Sequence, residues 1–358
     1  MLQSPRSRGP SPKRPALSGS ASFEPSGAFD PTDADTAHPV LHPGRVAVIT
    51  GAASGIGAAA ARELAALGMK IALADLPAAL PALTALAADL ADLVGEANVL
   101  VVPTDVRVLA DIVRLRDTVY ETWHEVGVLM NNAGVGGEEG TSLDNLSAWH
   151  AVFATNVLGV VAVQQTFVGA MLHQENPAMV INTGSKQGVT NPPGNTAYNA
   201  SKAAVKSLTE GLAHELRTRA AAGGAGSVSA HLFVRLSSSS FFPRPRPLLH
   251  LANPSPSPGW TYTGLTGAHS GGAKPAGAWT AQETVRHMLA RVAAGEFYVL
   301  CPDNETGPEI DQLRIMWAAA DVAQGRPALS RWHRDYKALY EEYIREGQAL
   351  ASEGALML

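Results

Sequence analysis

The sequence predicts an α/β fold built on a doubly wound parallel sheet, and three observations carry that reading. Short apolar runs alternate with longer stretches of helical period from Arg45 to Cys301. The runs are almost continuously apolar, as strands covered on both faces are, rather than alternating with polar residues. The first run leads through a glycine-rich turn straight into a helix. Strands that alternate with helices pair in parallel through right-handed crossovers.

Composition bounds the function. The 358 residues are 46% hydrophobic and 16% charged, enough to bury a sizeable core. A formal charge of −5 leaves no basic footprint for nucleic acid. Cys301 is the sole cysteine, so no internal disulfide forms and a reducing, cytoplasmic setting is expected. The eleven histidines show no metal-ligand spacing, so no metal is expected. No membrane span is expected either, because the best candidate, Val157 to Leu172, is interrupted by Gln164 and Gln165.

Residues 1–43, rich in Pro, Ser and Gly, read as a disordered leader. Arg45 to Thr50 is the first strand, and Gly51-Ala52-Ala53-Ser54-Gly55-Ile56-Gly57 follows before a helix over Ala58–Leu67. Gly51 permits the tight turn, Gly55 admits a pyrophosphate to the backbone, and Gly57 lets the helix pack on the sheet. Free N–H groups at the helix start favour an anion. A tight turn without a ligand has the same local pattern. The second strand, Met69 to Ala74, ends at Asp75, where a carboxylate accepts from ribose hydroxyls and repels a 2′-phosphate. Ser54 stands where an arginine or lysine would otherwise favour that phosphate, so NAD is preferred over NADP. A helix cap is the other use for Asp75.

A helix over Ala78–Leu93 precedes a third strand, Val99–Val102, and Thr104-Asp105-Val106, where the aspartate suits an adenine amino group or loop solvation. A helix over Val108–Glu125 and a strand over Val128–Met130 lead to Asn131-Asn132-Ala133-Gly134, a small-residue wall or a plain turn. The long apolar helix Ser147–Gln174 carries Asn156, a buried amide that is either satisfied in the core or holds a water. The fifth strand, Ala178–Thr183, leads to Gly184-Ser185, and a helix over Asn195–Arg219 holds Tyr198 and Lys202. A sixth strand, Val228–Val234, a helix over Thr280–Ala294 and a strand over Phe297–Cys301 complete the 44–302 catalytic domain. The 303–358 tail reads as two helices carrying Trp317, Trp332, Tyr336, Tyr340 and Tyr343, whose helical spacing suits packing more than a ligand box.

Tyr198-Asn199-Ala200-Ser201-Lys202 is the chemical centre. Residues four apart in a helix share a face, so the ammonium favours the phenolate and draws the tyrosine toward neutral titration. Of the seven tyrosines, only Tyr198 has a lysine at that offset. The pair alone also describes a surface contact; its surroundings distinguish the two.

Thr50-Gly51-x-x-x-Gly55-x-Gly57, Asn131-Asn132-Ala133-Gly134, Asn156, Ser185, Tyr198-x-x-x-Lys202 and Pro258-Gly259-x-x-x-Thr263 together resemble the short-chain dehydrogenases/reductases, over residues 44–302. The resemblance implies a Rossmann-type seven-stranded sheet of order 3-2-1-4-5-6-7, an NAD(H) cofactor, a small-molecule alcohol or ketone substrate and a homo-oligomer, dimer or tetramer. It implies that Tyr198 transfers the proton, Ser185 orients the substrate oxygen, and Lys202 holds the nicotinamide ribose. Asn156 would support a water relay, and Pro258, Gly259 and Thr263 would meet the carboxamide. A 3-oxoacyl-type reductase and a non-catalytic NAD-binding scaffold are the alternatives. Gly127 departs from the family, which often has an acid there, and Cys301-Pro302-Asp303-Asn304 replaces a glycine-rich ending. Trp260, Tyr262 and Trp279 suggest a bulky or ring-shaped substrate.

Residues 235–257 break the pattern with serine runs, Pro-Arg pairs and no period. Joining Val234 to Pro258 restores a strand running into the cofactor loop. The segment is therefore expected to be an irregular insertion with the look of a retained intron; an active-site lid is the alternative.

Overall fold

The structure, a computed structural model, describes residues 38–136, 143–223, 227–235, 261–262, 279–302 and 307–352. Seven strands form one sheet: β1 (Val46–Thr50), β2 (Lys70–Ala74), β3 (Val99–Val101), β4 (Val128–Asn131), β5 (Ala178–Ser185), β6 (Val228–Arg235) and β7 (Tyr298–Leu300). Their order is β3-β2-β1-β4-β5-β6-β7 and every pairing is parallel.

Period two along buried strands splits the core into two layers. Ala47, Ile49, Ile71, Leu73, Met130, Ile181 and Phe233 face one side, where α1 (Gly55–Ala66), α2 (Leu80–Val94) and α8 (Ala281–Ala293) cover them. Val46, Val48, Ala72, Leu129 and Val180 face the other, under α3 (Leu109–Trp123), α5 (Val160–Met171) and α7 (Thr196–Ala221). Each large apolar side chain so buried contributes about 1.5–3 kcal/mol. The helix expected over Ser147–Gln174 is α4 (Leu146–Phe153), a π-helical turn Ala154–Gly159, and α5. A short α6 (Gln187–Thr190) lies between β5 and α7.

Several boundaries differ from the sequence reading. Residues 38–43 are not part of a disordered leader: Val40 and Leu41 are buried in the first core layer, and His38 Nδ1 accepts from both of their amides at 3.1 and 3.0 Å. Helix α1 starts at Gly55 rather than Ala58, so two glycines of the loop lie in its first turn. Strand β6 runs through Arg235, one residue into the expected insertion, because its backbone continues to pair with Ser185. Residues 236–257 and the leader before His38 lie outside the described residues. Two helical runs, Pro77–Val94 and Leu146–Met171, are long and apolar enough to cross a bilayer by length and composition. The second contains Gln164 and Gln165, so these glutamines do not shorten it as expected; both runs flank the sheet.

The tail is a separate compact unit. Within it α9 (Pro308–Ala323) and α10 (Lys337–Ser352) close on Trp317, whose ring lies 5.3 Å from Tyr340 and 5.2 Å from Tyr343. Its Nε1 donates to Ser330 Oγ at 2.7 Å. These aromatics are packing, as their helical spacing suggests.

Candidate active site

A cleft of about 250 Å³ opens at the carboxyl ends of β1, β2, β3 and β4, the point where strand order reverses. The glycine loop builds one side. Gly51 (φ 67°) and Gly55 (φ 54°) adopt the left-handed conformation that side chains resist. A Cβ on Gly57 would lie 2.1 Å from the Gly51 carbonyl oxygen, so α1 packs against its own entry loop only with glycine there. Ser54 stands at the N-cap without a side-chain bond, and the first turn holds no acid. The amides of Gly55, Ile56 and Gly57 therefore start the helix without intrahelical acceptors.

Gly51, Ser54, Gly55 and Ile56 line the cleft, as do Asp75, Asp105, Val106, Asn132, Ala133 and Gly134. Asp75 is held at the glycine loop, accepting from the Ala53 amide at 2.9 Å and from its neighbour Leu76 at 2.7 Å. Thr50 acts behind the wall and Asn132 within it. Thr50 Oγ1 accepts from the amides of Asn132 and Ala133, and Asn132 Nδ2 donates to the carbonyls of Thr50 and Gly51. This lacing fixes the end of β4 to the end of β1.

Leu76, Thr104, Arg107, Val135, Thr155 and Arg235 also line the cleft, and the sequence gives none of them a binding role. Arg107 grips the Asp105 carboxylate at 2.6–3.1 Å, and those hydrogen bonds hold that carboxyl below its usual range. Its signal was available, an arginine two residues after an acid. Arg235 gave none, since a charge at the end of an apolar run reads as the strand's end.

At one end Gly134 abuts the chemical centre: a Cβ there would lie 3.2 Å from Asn156 Oδ1 and 3.7 Å from Lys202 Nζ. Asn156, Ser185, Tyr198 and Lys202 are all buried. Asn195 caps α7 by accepting from the Tyr198 amide at 3.1 Å, and its Nδ2 donates to Gly136 O, tying the helix to the loop after β4. Lys202 Nζ lies 5.7 Å from the Tyr198 ring centroid and donates to Thr183 O at 2.8 Å. Burial lowers the Lys202 pKa; Tyr198 opposes that shift and Arg235 adds to it. The π-helical turn presents Asn156, whose Oδ1 accepts from Val135 N at 2.8 Å while Nδ2 donates to Val135 O and Ser201 Oγ. Its amide is thus satisfied within the protein, one of the two readings left open above. Ser185 Oγ accepts from Gln187 N at 3.2 Å.

Beneath these groups Asn131 Nδ2 donates to Asn182 Oδ1 and Asn182 Nδ2 to Thr209 Oγ1, at 2.8 and 3.0 Å, joining β4, β5 and α7. Trp279 packs edge-on against His287 at 5.5 Å. Pro258, Gly259, Trp260 and Thr263 lie outside the described residues.

Residues 45–223 match the family model described as short chain dehydrogenase. That is half of the chain, and it carries the glycine loop, the Asn131–Gly134 wall and the Tyr198–Lys202 helix. The chain belongs to the short-chain dehydrogenase/reductase family, and it is an oxidoreductase by that membership. An uncharacterised oxidoreductase of Staphylococcus saprophyticus is 32% identical over 175 residues, 48% of this chain and 72% of the relative. A 3-oxoacyl-[acyl-carrier-protein] reductase of Synechocystis is 33% identical over 49% of this chain and 69% of its own length. Among solved structures, a family member from Burkholderia phymatum in complex with NAD is 33% identical, with a TM-score of 0.63. That match covers 80% of this chain and 96% of the other.

Proposed function

We propose that this chain moves hydride between NAD(H) and a secondary alcohol or ketone, with Tyr198 as general acid and base. The observation that carries the reading is the meeting of Gly134, Asn156 and Lys202 at one end of a cleft whose far side is a glycine-lined helix start. The cradle fits a dinucleotide. Gly55, Ile56 and Gly57 present amides without intrahelical acceptors, and Asp75 stands across the loop to accept from ribose hydroxyls. When bound, the nicotinamide supplies or takes the hydride.

This chain's residues do the rest. Ser185 holds the substrate oxygen from the end of β5. Tyr198 gives or takes the proton at that oxygen. Lys202, anchored on Thr183 O, keeps positive charge near the phenol, which favours the phenolate, and reaches the ribose side of the cleft past Gly134. Asn156 braces the loop after β4. Thr50, Asn132, Ala133, Val106 and Asp105 complete the cofactor walls, and Asp105 has Arg107 as a competing partner for its carboxylate.

NAD is the favoured cofactor because Asp75 would repel a 2′-phosphate and residues 51–57 contain no cation. The NAD complex of the Burkholderia relative supports this. A homo-oligomer fits the outward Leu146 and Leu158, 67% and 63% exposed on the α4–α5 run, and a reducing, cytoplasmic setting fits the single buried thiol of Cys301. Retention of Asn156, Ser185, Tyr198 and Lys202 disfavours a non-catalytic scaffold.

The second reading, a 3-oxoacyl-type reductase, is favoured by the Synechocystis relative. The test is NADH consumption over a panel of aliphatic, cyclic and aromatic ketones with an acetoacetyl thioester as one arm. Turnover of simple ketones supports the first reading and selective turnover of the thioester the second. Silence across the panel, with NADH bound, rejects both.

A further inference from the structure

The carboxyl end of β6 buries a cation that has no counter-charge among the described residues. Arg235 is 7% exposed and its carbonyl accepts from the Lys186 amide at 3.0 Å, closing the strand beside Ser185. Its side chain lines the cleft with Gly134, Val135 and Thr155. Among the described residues nothing accepts a hydrogen bond from it, and Nε is both sealed and unpaired. Register partners on parallel strands project to the same face from backbones about 4.8 Å apart, so Arg235 and Ser185 leave the sheet on one face.

Among the described residues the nearby groups supply no negative charge. Lys202, 3% exposed, donates only to a neutral carbonyl. Burial pushes the Cys301 thiol up to about 12 despite Lys186 and Arg235 beside it, so no thiolate forms. Both carboxylates of the cleft are engaged elsewhere, Asp75 on the Ala53 and Leu76 amides and Asp105 on Arg107. A buried charge is costly unless a partner compensates it, and among the described residues none does, which leaves that place to a ligand.

We propose that Arg235 forms an oxyanion position beside Ser185 for the carboxylate of a 2-oxo acid, which this chain reduces to the 2-hydroxy acid. The proposal rests on the Tyr198-centred reading above. Hydride passes from NADH to the carbonyl carbon while Tyr198 gives its proton to the carbonyl oxygen. The C=O π bond is replaced by one C–H and one O–H bond, and NAD leaves oxidised. The carboxylate is unchanged; its two oxygens match the planar fork of a guanidinium. Arg235 also opens the 235–257 stretch, so a chain joined from Val234 to Pro258 would place proline here and lack the cation. That joined chain is a second comparison.

The test compares phenylglyoxylate with its methyl ester, which differ in charge and hardly in shape, using NADH and four proteins: the full chain, Arg235→Met, Arg235→Gln and the joined chain. The acid-to-ester ratio of kcat/KM is expected to fall about 10- to 100-fold in each altered protein, the usual worth of a hydrogen bond to a charged group. Calorimetric titration of phenylglyoxylate into the NADH-loaded proteins should rank them in the same way without turnover. Arg235-dependent acid binding with no turnover of either ketone would keep the anion position and reject the catalytic reading. An unchanged ratio together with unchanged acid affinity in both point variants overturns the proposal. So does a loss of NADH affinity with the acid-to-ester ratio intact, which would assign the guanidinium to the dinucleotide's diphosphate. If Arg235→Met does not fold, Arg235→Gln carries the comparison.

Discussion

The two ends of the sheet each bury an arginine under opposite conditions. Arg45, 5% exposed at the amino end of β1, pairs with Glu125 through Nε at 2.8 Å and donates to the carbonyls of Pro39 and Pro177. It gathers the segment before β1, the turn before β4 and the turn before β5 around one guanidinium. Arg235, at the carboxyl end of β6, has no such partner among the described residues. The same side chain is structural where the protein answers its donors and a ligand group where it does not. The amino edge is closed in the folded chain, while the carboxyl edge has an open cleft.

The largest expected effect on stability separates the two residues. Arg45→Met leaves Glu125 half of a broken, largely buried pair and should destabilise by about 3–5 kcal/mol. Arg235→Met removes an uncompensated charge and should leave ligand-free stability equal or higher. Denaturant unfolding of both variants reads the contrast; two destabilisations of equal size would erase it.

Gly188→Ala is expected to come next. The new Cβ would stand 2.4 Å from the Lys202 carbonyl carbon and 2.6 Å from Ala203 N, so the backbone of α7 has to yield. Overpacking of this kind costs about 1–3 kcal/mol. Because α7 carries both Tyr198 and Lys202, turnover should fall by more than the stability loss explains, whereas the same change at Gly169, with open space around it, should do little. Equal turnover in the two variants would show that α6 does not position α7.

Asp75→Ala should narrow the preference for NADH over NADPH, read as the ratio of their dissociation constants, and wild-type preference for NADPH would contradict the role given to Asp75.

The smallest effect is a pH dependence. Burial lowers the pKa of His231 below 6.5, partly opposed by its Nδ1 contact with Glu296 O at 2.7 Å, and His287 and His38 are lowered by burial as well. Below pH 6.5 the unfolded chain takes up protons that these folded rings refuse, so stability falls as the pH drops from about 7.5 to 5.5. His231→Asn should flatten that slope in thermal melts at several pH values. A slope that stays the same would remove His231 from the account.

The glycine loop, the Asn131–Gly134 wall and the Tyr198–Lys202 pair were legible because each is a short local signal set in a strand-turn-helix context. The Arg45 clamp was not, since its partners lie 6, 80 and 132 positions away. The π-helical turn at Asn156 has no sequence period; it is fixed by one amide reaching both Val135 and Ser201. Val40 and Leu41 read as leader because two apolar residues among prolines and histidines carry no pattern until a core receives them. Helix α1 begins three residues early because glycine's poor propensity is overridden where close packing admits no side chain. Arg235 was hidden by its charge, although backbone pairing with β5 carries the strand through it.

The central claim, that Tyr198 is the proton carrier of a nucleotide-dependent oxidoreductase, is tested most directly by separating chemistry from binding in Tyr198→Phe. The ring stays and only the hydroxyl goes. On any ketone that the wild type reduces with NADH, kcat should fall by about 10²–10⁴-fold, while the NADH dissociation constant from fluorescence titration stays within about twofold, on the order of the few tenths of a kcal/mol expected for a substitution without a lost ligand contact. Near-normal turnover by Tyr198→Phe on that ketone would contradict the claim and move the proton to another group.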